Sequence, residues 1–284
     1  MKRERRRFQF QCSGALPLLI LLAGCGTDET SRDDIPPAVP QVMERSADNI
    51  YVQRGIRPEP STTGSEYRVH IEWYPNTEPD VAGYRIWRHR EDEGAQRYTI
   101  IRDLRYGTNL DRGPILSFID AGDDWTGFPA NLLRPDQPGD SISTRGFYWQ
   151  IEAYDENNNR SVRSDSLYYR LVNNPQDLQV VREAPERYAL RWRFSVNDDP
   201  DGISYYYMLR VYQEAGGPDS VMWHQQVSRY GEQVSVILNN DDTARPFVAN
   251  AAYVWQLNVV VMPTDTASRT PAGSAAHITF VYQD

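Results

Sequence analysis

Short runs in which apolar and polar residues alternate recur along the chain after residue 40. The runs are separated by clusters of Gly, Pro, Asn and Asp, and no long run has the spacing of an amphipathic helix. An alternation with a period of two places the apolar set on one face of a strand, as in a half-buried antiparallel sheet. The pattern therefore predicts an all-β chain, with strands around residues 67–73, 84–87, 147–153, 188–194, 205–211 and 253–259.

The strand pattern occurs twice along the chain. Trp192 follows Trp73 by 119 residues, and Trp255 follows Trp149 by 106 residues. A glutamine comes directly after both Trp149 and Trp255. A repeat of ~100 residues is the size of an immunoglobulin-like sandwich. We therefore expect these tryptophans to be core anchors of two tandem antiparallel β-sandwiches, at residues 38–172 and 173–284.

The first half carries a more specific succession of motifs. Trp73 is followed by Gly-Tyr-Arg-Ile-Trp-Arg at 83–88, by Phe-Ile-Asp at 118–120, by an aromatic-rich strand at 147–153 and by an Asn-rich turn. This succession resembles a fibronectin type III domain over nearly the whole of the first half. The resemblance implies a sandwich whose tryptophan on the second strand lies in the core.

The two halves differ at the position of the tyrosine corner. At Phe147 the chain departs from the fibronectin pattern, which usually has a tyrosine there, so the corner hydrogen bond cannot form in the first half. The second half resembles the pattern more weakly, through Trp192, Tyr207 and Tyr253, and Tyr253 stands in the tyrosine-corner position. We describe the second half as fibronectin-like or immunoglobulin-like without choosing between them.

The N-terminal segment has the features of an export signal. A basic start precedes an apolar run at residues 15–22, and eight residues are too few to cross a ~30 Å hydrocarbon core. The run ends in Leu-Ala-Gly-Cys at 22–25, which resembles the lipobox of bacterial lipoproteins. That resemblance implies removal of residues 1–24 and attachment of a diacylglyceryl group to Cys25. An ordinary secretory signal that contains a cysteine is the alternative.

The polar, acidic and proline-ended segment after Cys25 predicts a flexible tether at residues 25–37. Gly26 stands where some enteric lipoproteins carry the Asp that retains them at the inner membrane. The resemblance therefore favours anchoring in the outer membrane of the cell envelope, with the folded part held away from the lipid surface.

Charge and composition restrict the function. The formal net charge is −9, with +4 in residues 1–24 and so −13 in the remainder, which argues against nucleic-acid binding. Cys12 and Cys25 are the only cysteines, so neither sandwich can contain a disulfide. The chain has no recognisable nucleophile motif, zinc motif or phosphate-binding loop. The four histidines stand at no metal-ligand spacing, and we expect a protein that is not an enzyme and needs no cofactor.

One acidic loop resembles a calcium loop in part. Asn197, Asp199 and Asp201 with the following Gly202 match positions 1, 3, 5 and 6 of the calcium-binding pattern, but Met208 stands at position 12, where a carboxylate is required. An ordinary acidic turn between two strands is the alternative.

Two features offer candidate ligand contacts. An unusually long connection, at residues 121–146, contains Trp125 and Phe128, which either fold back over the sandwich or form an exposed patch. The other candidate is Trp223, which we expect to face outward from its strand.

These observations predict a lipid-anchored envelope protein whose sandwiches serve as spacer and protein-binding units, in contact with the membrane through Cys25. The alternative is a carbohydrate-binding surface lipoprotein that assists polysaccharide capture.

Overall fold

The computed structural model describes residues 34–47, 52–60, 67–91, 97–121, 146–194, 204–228, 233–262 and 272–283. Asp34–Asp284 forms one compact unit. The described residues form strands joined by turns, together with a 3₁₀ turn at Glu214–Gly216. The prediction of an all-β chain is confirmed. No helix in this part of the chain is long and apolar enough to cross a membrane.

The strands follow one another in two sets. The first set is β1 (Gln41–Val42), β2 (Arg57–Pro58), β3 (Val69–Tyr74), β4 (Val81–Arg90), β5 (Thr99–Arg105), β6 (Leu116–Asp120), β7 (Gly146–Asp155) and β8 (Leu167–Leu171). The second set is β9 (Gln176–Ala184), β10 (Arg187–Arg193), β11 (Tyr205–Gln213), β12 (Val221–Ser228), β13 (Gln233–Ile237), β14 (Ala252–Val261) and β15 (Ala272–Val281).

The first sandwich is built from β1 to β8. In one sheet β3 pairs with β1, β2 and β6, and the opposing sheet has the order β5–β4–β7–β8. The alternating residues of β3 point into the core, where Val69, Ile71 and Trp73 are fully buried. Trp149 of β7 meets them from the opposing sheet and is also fully buried. The alternation therefore selects the core residues correctly.

The second sandwich repeats this arrangement with β9 to β15. One sheet has the order β13–β10–β9, and the strands facing it have the order β12–β11–β14–β15. Trp192 packs edge-on against Tyr207, with ring centroids 5.0 Å apart, and lies 5.9 Å from the ring of Trp255. All three rings are buried, as predicted. The two sandwiches are confirmed, while the domain boundaries at residues 38 and 173 stay a prediction.

The second sandwich also has the predicted tyrosine corner. The backbone N–H of Val248 donates a 2.8 Å hydrogen bond to the hydroxyl of Tyr253, five residues further along the chain. In the first sandwich Phe147 has no hydroxyl. A buried tyrosine of β4 makes a similar bond there, because the N–H of Asn76 donates to the hydroxyl of Tyr84 at 2.8 Å.

The two sandwiches share a sheet. Strand β15 pairs in parallel with β8, which joins the larger sheets into eight strands in the order β12–β11–β14–β15–β8–β7–β4–β5. Two further hydrogen bonds reinforce the junction: Val172 N–H donates to the Gly273 carbonyl at 3.1 Å, and the Ser274 hydroxyl donates to the Asn173 carbonyl at 2.6 Å. No pattern along the sequence predicts this pairing.

The two cores lie on opposite faces of the shared sheet. Leu171 belongs to the first core, and Gly273 is its partner across the junction. Side chains alternate along β15, so His277 faces the same side as Gly273, whereas Ile278 and Phe280 pack against the second core. The outward face of the second sandwich therefore turns toward the first.

A buried carboxylate links the two sheets of the first sandwich. Asp120 of β6 is 0% exposed and accepts hydrogen bonds from Arg88 of β4 at 2.9 and 3.0 Å. It also accepts one from the indole N–H of Trp149 at 2.8 Å. Since the donors belong to the sheet opposite β6, the interaction fixes the two layers against each other.

Candidate functional site

A cleft of about 480 Å³ lies where the first sandwich meets the outward face of the second. Its volume is within the range of ~300–1,000 Å³ that is typical of ligand pockets. One wall comes mainly from β2, β3 and the residues around β2, and the other comes from β11, β14, β15 and the turn after β11. The cleft exists because the shared sheet places the two cores on opposite faces.

Glu72 is the central charge of the first wall. Its side chain is 5% exposed and forms two contacts with Arg57, at 2.9 and 3.0 Å. The backbone N–H of Gly55 donates a third bond at 2.8 Å. Burial by itself raises the pKa of Glu72, but the Arg57 and Gly55 hydrogen bonds and the charge of Arg57 outweigh it, so the pKa lies below its ordinary 4.5. Glu72 is therefore ionised and held firmly in place.

His70 lies beside this pair. Its Nδ1 is 3.2 Å from Arg57 Nη2 and 3.1 Å from Glu59 Oε2, and its Nε2 is 3.8 Å from Glu72 Oε1. One ring nitrogen cannot accept from the guanidinium and donate to a carboxylate at once, so the tautomer decides which contact is a hydrogen bond. The Nε2 atom is buried and has no hydrogen-bond partner among the described residues.

The second wall is polar although much of it is buried. Arg210 of β11 is 3% exposed, and Gln256 of β14 is 7% exposed. The Gln256 amide donates to Asn258 Oδ1 at 2.8 Å, and Asn258 donates at 3.3 Å to Gln53 of the first sandwich. This chain of amides connects the two walls of the cleft.

Burial keeps two groups of the second wall uncharged. It raises the pKa of Tyr212 to about 12, with help from the carboxylates of Glu59 and Glu214. Burial also lowers the pKa of His277 from its ordinary 6.5; Arg68 lowers it further, and Glu59 partly opposes both. His277 is therefore neutral at pH 7, and its Nδ1 has no hydrogen-bond partner among the described residues.

The mouth of the cleft is open to solvent. Arg54 and Asp219 approach each other across it at 3.5 Å, with side chains 40% and 63% exposed. Arg54 also lies 3.7 Å from Glu72. Exposed pairs of this kind contribute little stability, ~0–1 kcal/mol, so they can rearrange around a ligand.

Arginines and carboxylates line the cleft in equal number. Three arginines face three carboxylates there: Arg54, Arg57 and Arg210 against Glu59, Glu72 and Asp219. The described residues contain no group of His, Cys, Asp and Glu side chains that could hold a metal ion. The arrangement places charged and polar side chains from both walls around one cleft.

The structure corrects one of the sequence-based candidates. The sequence predicts that Trp223 faces outward, but it is 1% exposed and packs in the second core. Its indole N–H donates to Asp241 at 2.9 Å. Its phase on β12 matches that of the buried Val227, which packs in the same core. A ring in this position cannot stack on a ligand. The other candidates, Cys25, Trp125, Phe128, Asn197, Asp199 and Asp201, lie outside the described residues.

The sequence did not identify the cleft. His70 and His277 stand in different sandwiches, 207 residues apart, and each is expected to be an ordinary outward histidine of a strand. Both do face outward from their sandwiches, but the shared sheet turns these faces toward each other. His89, which is expected to be a surface histidine, is instead 6% exposed; it stacks on Tyr148 and lies 5.2 Å from the tilted ring of Tyr98.

The first sandwich also carries an aromatic surface on its outward face. Arg163 lies over the Trp87 ring at 3.8 Å and also approaches Tyr98 at 5.5 Å. Tyr148 and Tyr168 pack with ring centroids 4.7 Å apart. Since Arg163 already covers the tryptophan, this surface is a weaker ligand candidate than the open cleft.

No protein-family profile matches the chain, and no curated protein sequence is significantly similar to it. Among solved structures, the crystal structure of chicken CNTN1 FN1-FN3 domains matches with 12% identity and a TM-score of 0.28. The match covers 87% of this chain and 69% of that chain. A TM-score this low carries no argument about function, so the site has to be interpreted from its own chemistry.

Proposed function

We propose that the protein is a non-enzymatic, lipid-anchored cell-envelope protein whose two sandwiches act as one rigid spacer and protein-binding unit. The observation that carries the proposal is the pairing of β8 with β15, which turns two sandwiches into one body with a shared eight-stranded sheet. Neighbouring domains move relative to each other by default unless an extensive interface joins them.

The connection between the sandwiches supports rigidity. Only four residues separate the end of β8 at Leu171 from the start of β9 at Gln176. Of these, Val172, Asn174 and Pro175 are buried. Chain segments that bury their side chains and pair their backbone have little freedom to bend. The unit therefore presents its binding surfaces at a fixed distance and angle.

The lipid anchor rests on the lipobox resemblance at residues 22–25. Two or more acyl chains hold a protein stably on a membrane, since each buried CH₂ contributes ~0.8 kcal/mol. We expect wild type in the outer-membrane fraction and Cys25→Ala in the soluble fraction. Continued membrane attachment of Cys25→Ala would contradict the anchor.

Protein binding is tested in envelopes solubilised with mild detergent. The tagged full chain is crosslinked in intact cells, and the proteins that co-purify with it are identified. The control is a lipoprotein in which residues 1–40 of this chain are joined to an unrelated folded domain. A reproducible partner recovered only with the native sandwiches supports the proposal. Recovery of the chain alone under several crosslinking conditions would remove the protein-binding half of it.

The carbohydrate alternative loses one of its candidate residues, since Trp223 is buried.

A further inference from the structure

We propose that protonation of His277 loosens the contact between the two sandwiches. This device rests on the rigid unit proposed above, because it sets the condition under which that unit opens. At neutral pH the sandwiches are held together, and in acid they separate more often.

His277 lies on the surface where the two sandwiches meet. It follows Gly273 of the junction by four residues and faces the same side of β15. Strand β2 of the first sandwich packs against β15, and His277 lines the cleft together with Arg57 and Glu59 of that wall. Its Nδ1 is buried and has no hydrogen-bond partner among the described residues. The ring therefore lies within the contact, with one nitrogen shielded from solvent.

The first sandwich is the layer that covers this part of β14 and β15. Gln256, the cross-strand neighbour of His277, is 7% exposed, and Asn258, two residues further along β14, is 1% exposed. Side chains on the outward face of a sheet are shielded from solvent only where another layer covers them. Gln53 of the first sandwich makes such a contact, because it accepts a hydrogen bond from Asn258 at 3.3 Å. Separation of the sandwiches therefore exposes His277 to water.

The closed contact disfavours a proton on the ring of His277. A charged imidazole has an N–H group at both nitrogens, so Nδ1 becomes a buried donor without an acceptor, which is unfavourable. Burial is the largest cause that lowers the pKa of His277 below its ordinary 6.5. Glu59 raises the pKa in part, and Arg68 of the first sandwich lowers it. The closed form therefore holds this histidine neutral at a pH where a solvated histidine takes up a proton.

The other charges of the cleft do not compensate a proton on His277. The charged and titratable groups that share the cleft are Arg54, Arg57, Glu59, His70 and Glu72 in the first wall and Arg210, Tyr212 and Asp219 in the second. Each of the three carboxylates already contacts a basic side chain of the first wall, at 3.1, 2.9 and 3.5 Å. A proton on His277 therefore adds a positive charge to a cleft whose carboxylates are engaged with other groups.

Opening the contact relieves this cost. When the first sandwich moves away, water reaches the ring, and the pKa of His277 returns toward 6.5. The open form then binds the proton more readily than the closed form, so the ratio of open to closed molecules rises as the pH falls below 6.5 and is constant well above it. One histidine changes this ratio by at most ~10-fold for each pH unit below 6.5. Because β8 and β15 pair through two residues each, the contact opens without unfolding of either sandwich.

The first experiment measures amide hydrogen exchange in the wild-type full chain at pH 7.5 and pH 5.5. The N–H of Val172 donates to the Gly273 carbonyl across the junction at 3.1 Å, so its protection factor, the intrinsic rate divided by the measured rate at that pH, reports how often the contact opens. We expect Val172 to be less protected than the core amides of β7 and β14, and its protection factor to fall ~3- to 10-fold from pH 7.5 to pH 5.5. Protection equal to that of the core amides, or independent of pH, would overturn the proposal and leave the rigid unit standing. A Val172 amide without protection at pH 7.5 would contradict the rigid unit, and this proposal with it.

Substitutions assign the effect to His277. His277→Gln keeps a polar side chain that cannot take up a proton, so Val172 should have nearly the same protection factor at both pH values. His224→Gln on β12 is the matched control and should retain the change seen in wild type. A pH-dependent protection factor that persists in His277→Gln would overturn the proposal. Thermal unfolding checks that both variants are folded; if His277→Gln is not, an NMR titration of the His277 ring in wild type decides, since a pKa at or above 6.5 would overturn the proposal.

Discussion

Asp120 should contribute more stability than any exposed carboxylate of the chain, because it joins the two sheets of the first sandwich from a fully buried position. Asp120→Ala removes the acceptor of three hydrogen bonds, of 2.8 to 3.0 Å. It leaves the guanidinium of Arg88, whose side chain is 6% exposed, without its carboxylate. Removing one partner of a buried ion pair costs ~3–5 kcal/mol. We expect the free energy of unfolding to fall by about that amount.

The assay is equilibrium unfolding in urea, followed by tryptophan fluorescence and circular dichroism on the full chain. Glu183→Ala is the matched control, since Glu183 contacts Arg187 and Arg191, whose side chains are 60% and 46% exposed. Exposed pairs of this kind contribute ~0–1 kcal/mol, so the control should differ little from wild type. If Asp120→Ala loses no more stability than Glu183→Ala, the reasoning that burial decides how much an ion pair contributes to stability is refuted.

Three further predictions concern other elements. Tyr253→Phe should lower the free energy of unfolding by ~1–1.5 kcal/mol, which is the net contribution of the corner hydrogen bond. In the same urea titration, Tyr74→Phe on the surface should lower it by almost nothing. Gly273→Ala places a Cβ against a backbone carbonyl oxygen of β14 and should lower the free energy of unfolding by ~1–3 kcal/mol. In the control Gly113→Ala, the added Cβ meets only an ordinary contact at 3.4 Å. Equal melting temperatures of the two variants would contradict a tight junction. The pKa of His277 is lowered in the folded protein, so the unfolded chain binds the proton more readily. The stability contributed by this group should therefore be fully present above pH 6.5 and should decline as the pH falls below that value. His277→Gln should reduce the decline, and a pH profile of stability that His277→Gln leaves unchanged would contradict the prediction.

Local pattern was sufficient to predict the fold class and the cores. Apolar alternation selected Trp73, Trp149, Trp192 and Trp255 as core residues, and all four are at most 2% exposed. Periodicity succeeds here because each strand has one face against a core, so its side chains alternate between two environments. The same alternation assigns Trp223 to the core, since Val227 shares its phase on β12 and is buried in the second core.

The cleft could not be predicted in this way. It depends on the parallel pairing of Gly273 with Leu171, which involves two residues of β15 and has no local signature in composition or spacing. Without that pairing, His70 and His277 are unrelated histidines on two outward faces. The pairing of strands that are far apart in the sequence is decided by the packing of whole sandwiches rather than by local β-propensity. The cleft that results from such a pairing is therefore visible only in the three-dimensional structure.

The central claim is that the two sandwiches form one rigid body, and a distance distribution between spin labels tests it most directly. The labels are placed on the exposed positions Arg102 of β5 and Glu183 of β9, after Cys12 and Cys25 have been replaced by serine. The shared sheet predicts a single narrow distribution in double electron–electron resonance, which Gly273→Ala should broaden. A broad or two-peaked distribution in the otherwise native chain, of the kind that independent domains on a linker produce, would contradict the claim.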